Sequence, residues 1–342
     1  MNELTDRPFY TFLREERQFS FLLAFFLMQK GNALSRFLDL VRNHPNGSQL
    51  PVPAPAQLHD AEIYVEYAYL RDRWDSFLRV DGITGAVAPG ARQEANLNKK
   101  AFIETLFRRI PSLVPLADMV KPDSEPEFNE YFMGKTGARI TRDIASPALW
   151  SVAALRDNFK ANPQVFNKQV FLDLCKLKWS FRIKPDLVID IPGLPPICVE
   201  AKLASGEGSY PTGKEALIFD EVFGARLQRV RQFQLQKFMF ATLLDRPCLP
   251  VVVQKLYAAS EPDYPVLIWG EVLSDLIQAG GLKASIPFVS KLVDENALLL
   301  TSYACHRMYG GGRLRYPTLY PSYTLGLLRR SALPGCRVLR GG

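Results

Sequence analysis

Two carboxylates and a lysine stand in this chain at a spacing that suits phosphodiester hydrolysis: Asp186, then Glu200-Ala201-Lys202. Asp186 follows Pro185 and opens a mainly apolar run to Ile191, and Ile197 to Leu203 is a second run. Between them lies Pro192-Gly193-Leu194-Pro195-Pro196, a strong turn signal. Two strands joined by a turn are therefore expected. Side chains alternate faces along a strand, so Asp186, Val188 and Asp190 share one face of the first strand. Cys198, Glu200 and Lys202 share one face of the second. Each strand thus offers an acid to a common surface, and the second adds an ammonium. Mg²⁺ is usually held by one or two carboxylates and keeps positions for water and phosphate oxygens. A lysine beside it can orient the attacking water and offset charge growing on the phosphate.

The pattern is selective within the chain. Two other Pro-Asp pairs, Pro122-Asp123 and Pro262-Asp263, precede no comparable strand, and of all the lysines only Lys202 has an acid two residues before it. The bland reading is a turn residue at Asp186 and a solvated face at Glu200 and Lys202. Against it, acids on an interior strand are costly unless paired or bound to metal. Asp190 lies about 7 Å further along the strand than Asp186 and reads as a turn residue.

With Pro185-Asp186 followed 14 residues later by Glu200-Ala201-Lys202, the chain resembles the PD-(D/E)XK nuclease superfamily, the restriction-endonuclease-like fold, over roughly residues 98–280. The resemblance implies an α/β core with a mixed central sheet flanked by helices. It makes Asp186 and Glu200 the metal ligands, helped by the backbone carbonyl of Ala201, and Lys202 the catalytic lysine. The implied cofactor is Mg²⁺, for which Mn²⁺ substitutes. The implied activity is endonucleolytic hydrolysis of DNA with 5′-phosphate products, in a setting such as restriction or phage defence, and a homodimer is compatible with it. Two positions match more loosely. Glu104 would be the glutamate that many members carry on a helix ahead of the sheet, although a glutamate flanking an apolar stripe needs no such purpose. Gln234 would open a Q-x-x-x-Y element, but Phe238 replaces the tyrosine, which leaves Gln232 and Gln236 open as well.

Composition narrows the alternatives. The 342 residues, 47% hydrophobic and 23% charged, can bury one large core or two modest ones. Three histidines, none in metal-ligand spacing, remove zinc hydrolases. Five scattered cysteines make no disulfide framework and point to a reducing, cytoplasmic setting. The apolar run Phe19 to Met28 is too short for a bilayer, which needs roughly 20 residues, so no membrane partner is expected. Gly208 to Lys214 spells G-x-x-x-x-G-K, but Glu215 replaces the Ser/Thr of a P-loop, and before Gly134-Lys135-Thr136 the first glycine is Asn129. No nucleotide cofactor is expected. A nuclease-fold module that binds nucleic acid without turnover is the main alternative, and a P-loop switch the lesser one.

The elements that must hold these groups follow from periodicity. Residues 10–43 read as two helices broken at Gly31-Asn32, and 60–79 as a further aromatic-rich helix. Asn98 to Ile110 carries Ile103, Leu106, Phe107 and Ile110 on one helical stripe, stopped by Pro111. Residues 117–147 read as a polar excursion or lid. Leu177, Trp179, Phe181 and Ile183 alternate with Lys178, Ser180 and Arg182, which predicts a strand and hence a three-strand meander from Cys175 to Leu203. A long helix from Lys214 to Leu244, a central strand from Pro250 to Tyr257 and a helix over 271–278 complete the core. The expected organisation is a helical N-terminal subdomain (1–95), the nuclease-like core (96–283) and a basic Arg/Tyr/Gly-rich extension (284–342). Within it, the stretch from Asn296 to the end, with seven arginines and no lysine or acid, carries the whole surplus of a chain with net charge +7. Phosphates are expected to meet Lys135, Arg139 and Arg142 in the excursion, or Arg226, Arg229, Arg231 and Lys237 near the later helix, although a solvated face explains each equally.

Overall fold

The computed structural model describes residues 16–28, 32–78, 87–119, 125–138, 143–164, 166–202, 207–224, 229–254 and 263–280. In chain order they form α1 (Glu16–Leu27), α2 (Ala33–Asn43), α3 (Pro55–His59), β1 (Glu62–Val65), α4 (Tyr69–Asp75), α5 (Ala91–Arg108), α6 (Val114–Met119), α7 (Glu125–Ala138), α8 (Val152–Ala161) and α9 (Lys168–Ser180). There follow β2 (Leu187–Asp190), β3 (Ile197–Lys202), β4 (Ser209–Tyr210), α10 (Lys214–Phe223), β5 (Val230–Arg231), α11 (Gln232–Phe238), β6 (Leu249–Gln254), β7 (Val266–Ile268) and α12 (Trp269–Gly280). The protein is α/β. Its main sheet has the strand order β1-β2-β3-β6-β7, and β4 pairs with β5 apart from it. β1 and β2 are antiparallel (Glu62↔Asp190 to Val65↔Leu187), as are β2 and β3 (Leu187↔Val199 to Ile189↔Ile197), whereas β6 and β7 are parallel, so the sheet is mixed.

Two compact units emerge, and they do not follow chain order. One comprises Pro53–Glu200 with Ser205–Pro250; the other comprises Met1–Val52, Ala201–Ala204 and Val251–Gly342. The first holds β1, β2 and most of the helices around one large core in which α9 is central: Phe171, Leu174, Cys175, Leu177 and Trp179 are all fully buried. In the second, α12 packs on α2 and α1, with the rings of Phe19 and Trp269 5.3 Å apart. Among the described residues no helix is long and apolar enough to cross a membrane.

Several elements correct the sequence reading. The strand expected at Leu177 to Ile183 is the end of α9 and the turn beyond it. Because α9 is buried on nearly every side, it shows no one-sided stripe, and its last apolar residues mimic a period of two. Its start was encoded: the Asn167 side chain accepts hydrogen bonds from the backbone N–H of Gln169 and Val170. The third antiparallel strand comes instead from Glu62–Val65, inside the segment expected to be helical, where Ile63, Tyr64 and Val65 suit a pleated surface. The described residues of the 117–147 segment pack into the core and do not form a lid. Phe128 and Phe132 of α7 enter the core, and the fully buried Asn129 bridges Asp143 O and Ala145 N–H. The long helix at 214–244 breaks at Gly224 into α10 and α11, with β5 between them, and α11 continues into a π-turn over Met239–Leu243. The two N-terminal helices, the Ile103/Leu106/Phe107 stripe of α5, β3, β6 and α12 lie where expected. The extension 284–342 lies outside the described residues, as do Arg139, Arg142 and Arg226.

Candidate functional site

The register of β2 and β3 brings the two acids together. Continuing the ladder by one pair beyond Leu187↔Val199 sets Asp186 across from Glu200. Residues directly opposite on antiparallel strands share a face, with Cα atoms roughly 4.5–5.5 Å apart. Asp186 is half-buried, and Glu200 is only 1% exposed. One strand step further, Lys202 leaves β3 on the side of Glu200, half-buried, and its carbonyl accepts a hydrogen bond from Trp269 Nε1 at 3.3 Å.

A buried carboxylate needs donors, and α11 supplies one: Gln236 Nε2 donates to Glu200 Oε1 at 2.5 Å. Gln236 is itself fully buried, and among the described residues its Oε1 has no hydrogen-bond partner. An orphaned buried acceptor is rare enough to call for an explanation, and an ordered water or a hydrated ion is the usual one. Gln234, the residue first matched to this element, is exposed. Its Oε1 accepts the backbone N–H of Arg231 at 3.0 Å, a helix cap. Of the three glutamines, the structure therefore puts Gln236 on the acid and Gln234 on the helix end.

Below the acids on the same face lies Cys198, whose thiol is pushed up by burial, by its hydrogen bond with Cys248 and by the nearby charge of Glu200. Tyr210, stacked on Trp179 with centroids 5.8 Å apart, is likewise raised, by burial first and then by the Glu200 carboxylate. On the other side of Asp186, the end of β1 adds groups that the sequence reading missed. Glu66 N–H donates to Asp186 O at 2.9 Å, Tyr67 N–H donates to Pro185 O at 3.1 Å, and Glu66 Oε2 meets Lys184 Nζ at 3.1 Å. Glu66 has φ +49°, in the left-handed region, which costs a non-glycine residue about 1–2 kcal/mol. A half-exposed ion pair contributes only about 0.2–1 kcal/mol. The one available signal was Lys184, two residues before Asp186 in Lys184-Pro185-Asp186.

The remaining sequence-matched residues lie elsewhere. Glu104 sits on the flank of α5, ion-paired with Arg108 at 2.9 Å, and α5 packs against α6 and the turn Pro111–Leu113. Lys135 is exposed and lines an open groove of ≈ 590 Å³ with Glu127, Glu130 and Asp157, surroundings too acidic to favour phosphate. Arg229 donates to Pro211 O at 2.8 Å and lies 3.7 Å from Asp220, so it braces the loop ahead of α10. The P-loop-like Gly208–Lys214 forms β4 and a turn into α10. Glu215 points inward as the counter-ion of the fully buried Lys178 (3.1 Å) and accepts Trp179 Nε1 at 3.0 Å. Burial holds the Lys178 ammonium below its ordinary range, and Glu215 opposes that shift.

Among the described residues, no group of three or more His, Cys, Asp or Glu side chains could hold a metal. A cation at Asp186 and Glu200 would rest on two carboxylates, the Ala201 carbonyl and water, an all-oxygen set that fits Mg²⁺ or Mn²⁺. The orphaned Gln236 oxygen beside Glu200 is a ready acceptor for such a water. Comparisons with protein-family models, curated proteins and solved structures return no match.

Proposed function

We propose that this protein is a divalent-cation-dependent deoxyribonuclease of the PD-(D/E)XK type. The observation that carries the reading is the register of β2 and β3, which continued by one pair sets Asp186 opposite the buried, amide-held Glu200, with Lys202 two residues further along β3. Asp186, Glu200 and the Ala201 carbonyl would hold Mg²⁺, or Mn²⁺ in its place. The ion, when bound, polarises a phosphoryl oxygen and lowers the pKa of water. Lys202 orients the attacking water and offsets negative charge developing on the phosphate. Gln236 fixes one oxygen of Glu200, and its own carbonyl oxygen would accept a hydrogen bond from a water beside it. Restriction or phage defence is the setting that suits such an activity, and cytoplasmic residence suits its free cysteines.

Incubation of the full chain with plasmid DNA and Mg²⁺ tests the reading. Cleavage is expected in the unaltered protein, with a loss of about 100-fold or more in Asp186→Ala and in Lys202→Ala. Cleavage retained by both variants, or no cleavage by the unaltered chain with either ion, overturns it. In the latter case, DNA retained on the protein would favour the binding module without turnover.

A further inference from the structure

We infer that Glu66 and Lys184 form a clamp that sets Asp186 in position for the divalent cation, an inference that rests on the nuclease reading above. Three antiparallel strands meet at this row: continued by one pair on each side, the two ladders set Glu66 against Asp186 and Asp186 against Glu200. β1 is the edge of the sheet, and β2 begins only at Leu187. Asp186 therefore stands just before the strand proper, and its backbone is held on the β1 side by Glu66 and Tyr67, the two residues that follow that strand.

Those residues hold it in two ways. Glu66 and Tyr67 donate successive backbone hydrogen bonds to the carbonyls of Asp186 and Pro185, and the Glu66 carboxylate reaches Lys184 at 3.1 Å, on the far side of the same proline. The segment Lys184-Pro185-Asp186 is thus gripped at both ends by one residue. Tyr67 anchors the grip, its ring stacked on that of Phe240 with centroids 5.8 Å apart. To make these contacts Glu66 adopts a left-handed backbone that glycine or asparagine would take with less strain. The ion pair is half-exposed and offsets only part of that cost. Backbone strain persists where the surrounding structure over-determines it, and here what it secures is the hold on the Asp186 segment. Glu66 and Lys184 act through Asp186 and are positioning residues.

Mn²⁺ affinity of the full chain, measured by titration calorimetry or by loss of the free-ion electron paramagnetic resonance signal, separates position from folding. Glu66→Gln and Lys184→Gln are each expected to weaken Mn²⁺ binding about tenfold while the thermal midpoint stays within a few degrees. The exchange Glu66→Lys with Lys184→Glu is expected to restore most of the loss. Glu66→Asn relieves the backbone but is too short to reach Lys184, and is expected to raise the thermal midpoint while weakening Mn²⁺ binding. Unchanged affinity in Glu66→Asn, or in both glutamine variants, overturns the clamp and leaves the nuclease reading standing. Absence of Mn²⁺ binding by the unaltered chain overturns both.

Discussion

Glu200 and Gln236 show how far a single pair can specify a site. A carboxylate with 1% exposure is tolerable only if its charge is answered locally, and the amide of Gln236 answers one oxygen. The three glutamines of α11 are equivalent in composition and differ only in where they point, which a helix turn of about 100° per residue decides. From the sequence, Gln234 could be preferred to Gln236 only by analogy. The decisive fact is the burial of Gln236 between Leu235 and the Met239–Leu243 turn, and that is a property of packing. Glu200, by contrast, was legible because alternation along a strand needs no tertiary information. Gln236→Ala is expected to destabilise the protein by about 1–3 kcal/mol, since it leaves a buried acceptor without its donor. Gln234→Ala loses only a helix-end contact and is expected to cost about 1 kcal/mol or less. Denaturant midpoints of the two variants check the order, and equal effects would mean that the Glu200 contact adds nothing.

α9 and β1 mark where periodicity fails and why. Amphipathic patterning reports a difference between faces, and a helix enclosed by α8, α11 and the turns at Pro111–Leu113 and Pro147–Leu149 has little such difference to report. Even one of its three lysines is inside: Lys178 is fully buried, with Ala148 O at 3.1 Å and Glu215 as counter-ion. A lysine in an apparent alternation is ordinarily taken as the solvent side, so the buried ion pair itself produced the false strand. β1 failed for the opposite reason. At four residues it is too short to signal itself, and its partner β2 lies more than a hundred residues away in the chain. Capping chemistry, which is local, remained readable at Asn167. Asn167→Ala is expected to cost about 1 kcal/mol, within the usual 0.5–2, and Asn167→Asp to retain most of the stability. Thermal melts of both variants check this. An alanine variant as stable as the original chain would mean that packing alone fixes the start of α9.

Over the whole molecule, charge is divided more sharply than structure. The seven arginines between Asn296 and Gly342, with no lysine or acid among them, equal the entire formal surplus of +7, so residues 1–295 are balanced. The described cations of the balanced part are largely spent on internal partners: Arg246 grips Asp190 through two hydrogen bonds, Arg156 and Lys160 share Glu221, and Arg182 meets Glu215. A polyanion drawn to this protein at long range would therefore be drawn by its last residues, and under the nuclease reading Asp186 and Glu200 would supply chemistry with little attraction. For binding to duplex DNA, the logarithm of affinity falls with the logarithm of salt concentration by about 0.9 per phosphate neutralised. Replacing all seven arginines by glutamine in the full-length chain is expected to make that slope shallower by up to about 6, and to weaken binding most at low salt. Under the nuclease reading, the rate of cleavage at saturating DNA is expected to change little, because the proposed site residues Asp186, Glu200 and Lys202 are untouched. Filter binding across a salt series reads the slope, and single-turnover cleavage reads the rate. An unchanged slope would place the phosphate contacts in residues 1–295, and a collapsed rate with an unchanged slope would give the arginines a part in the chemistry.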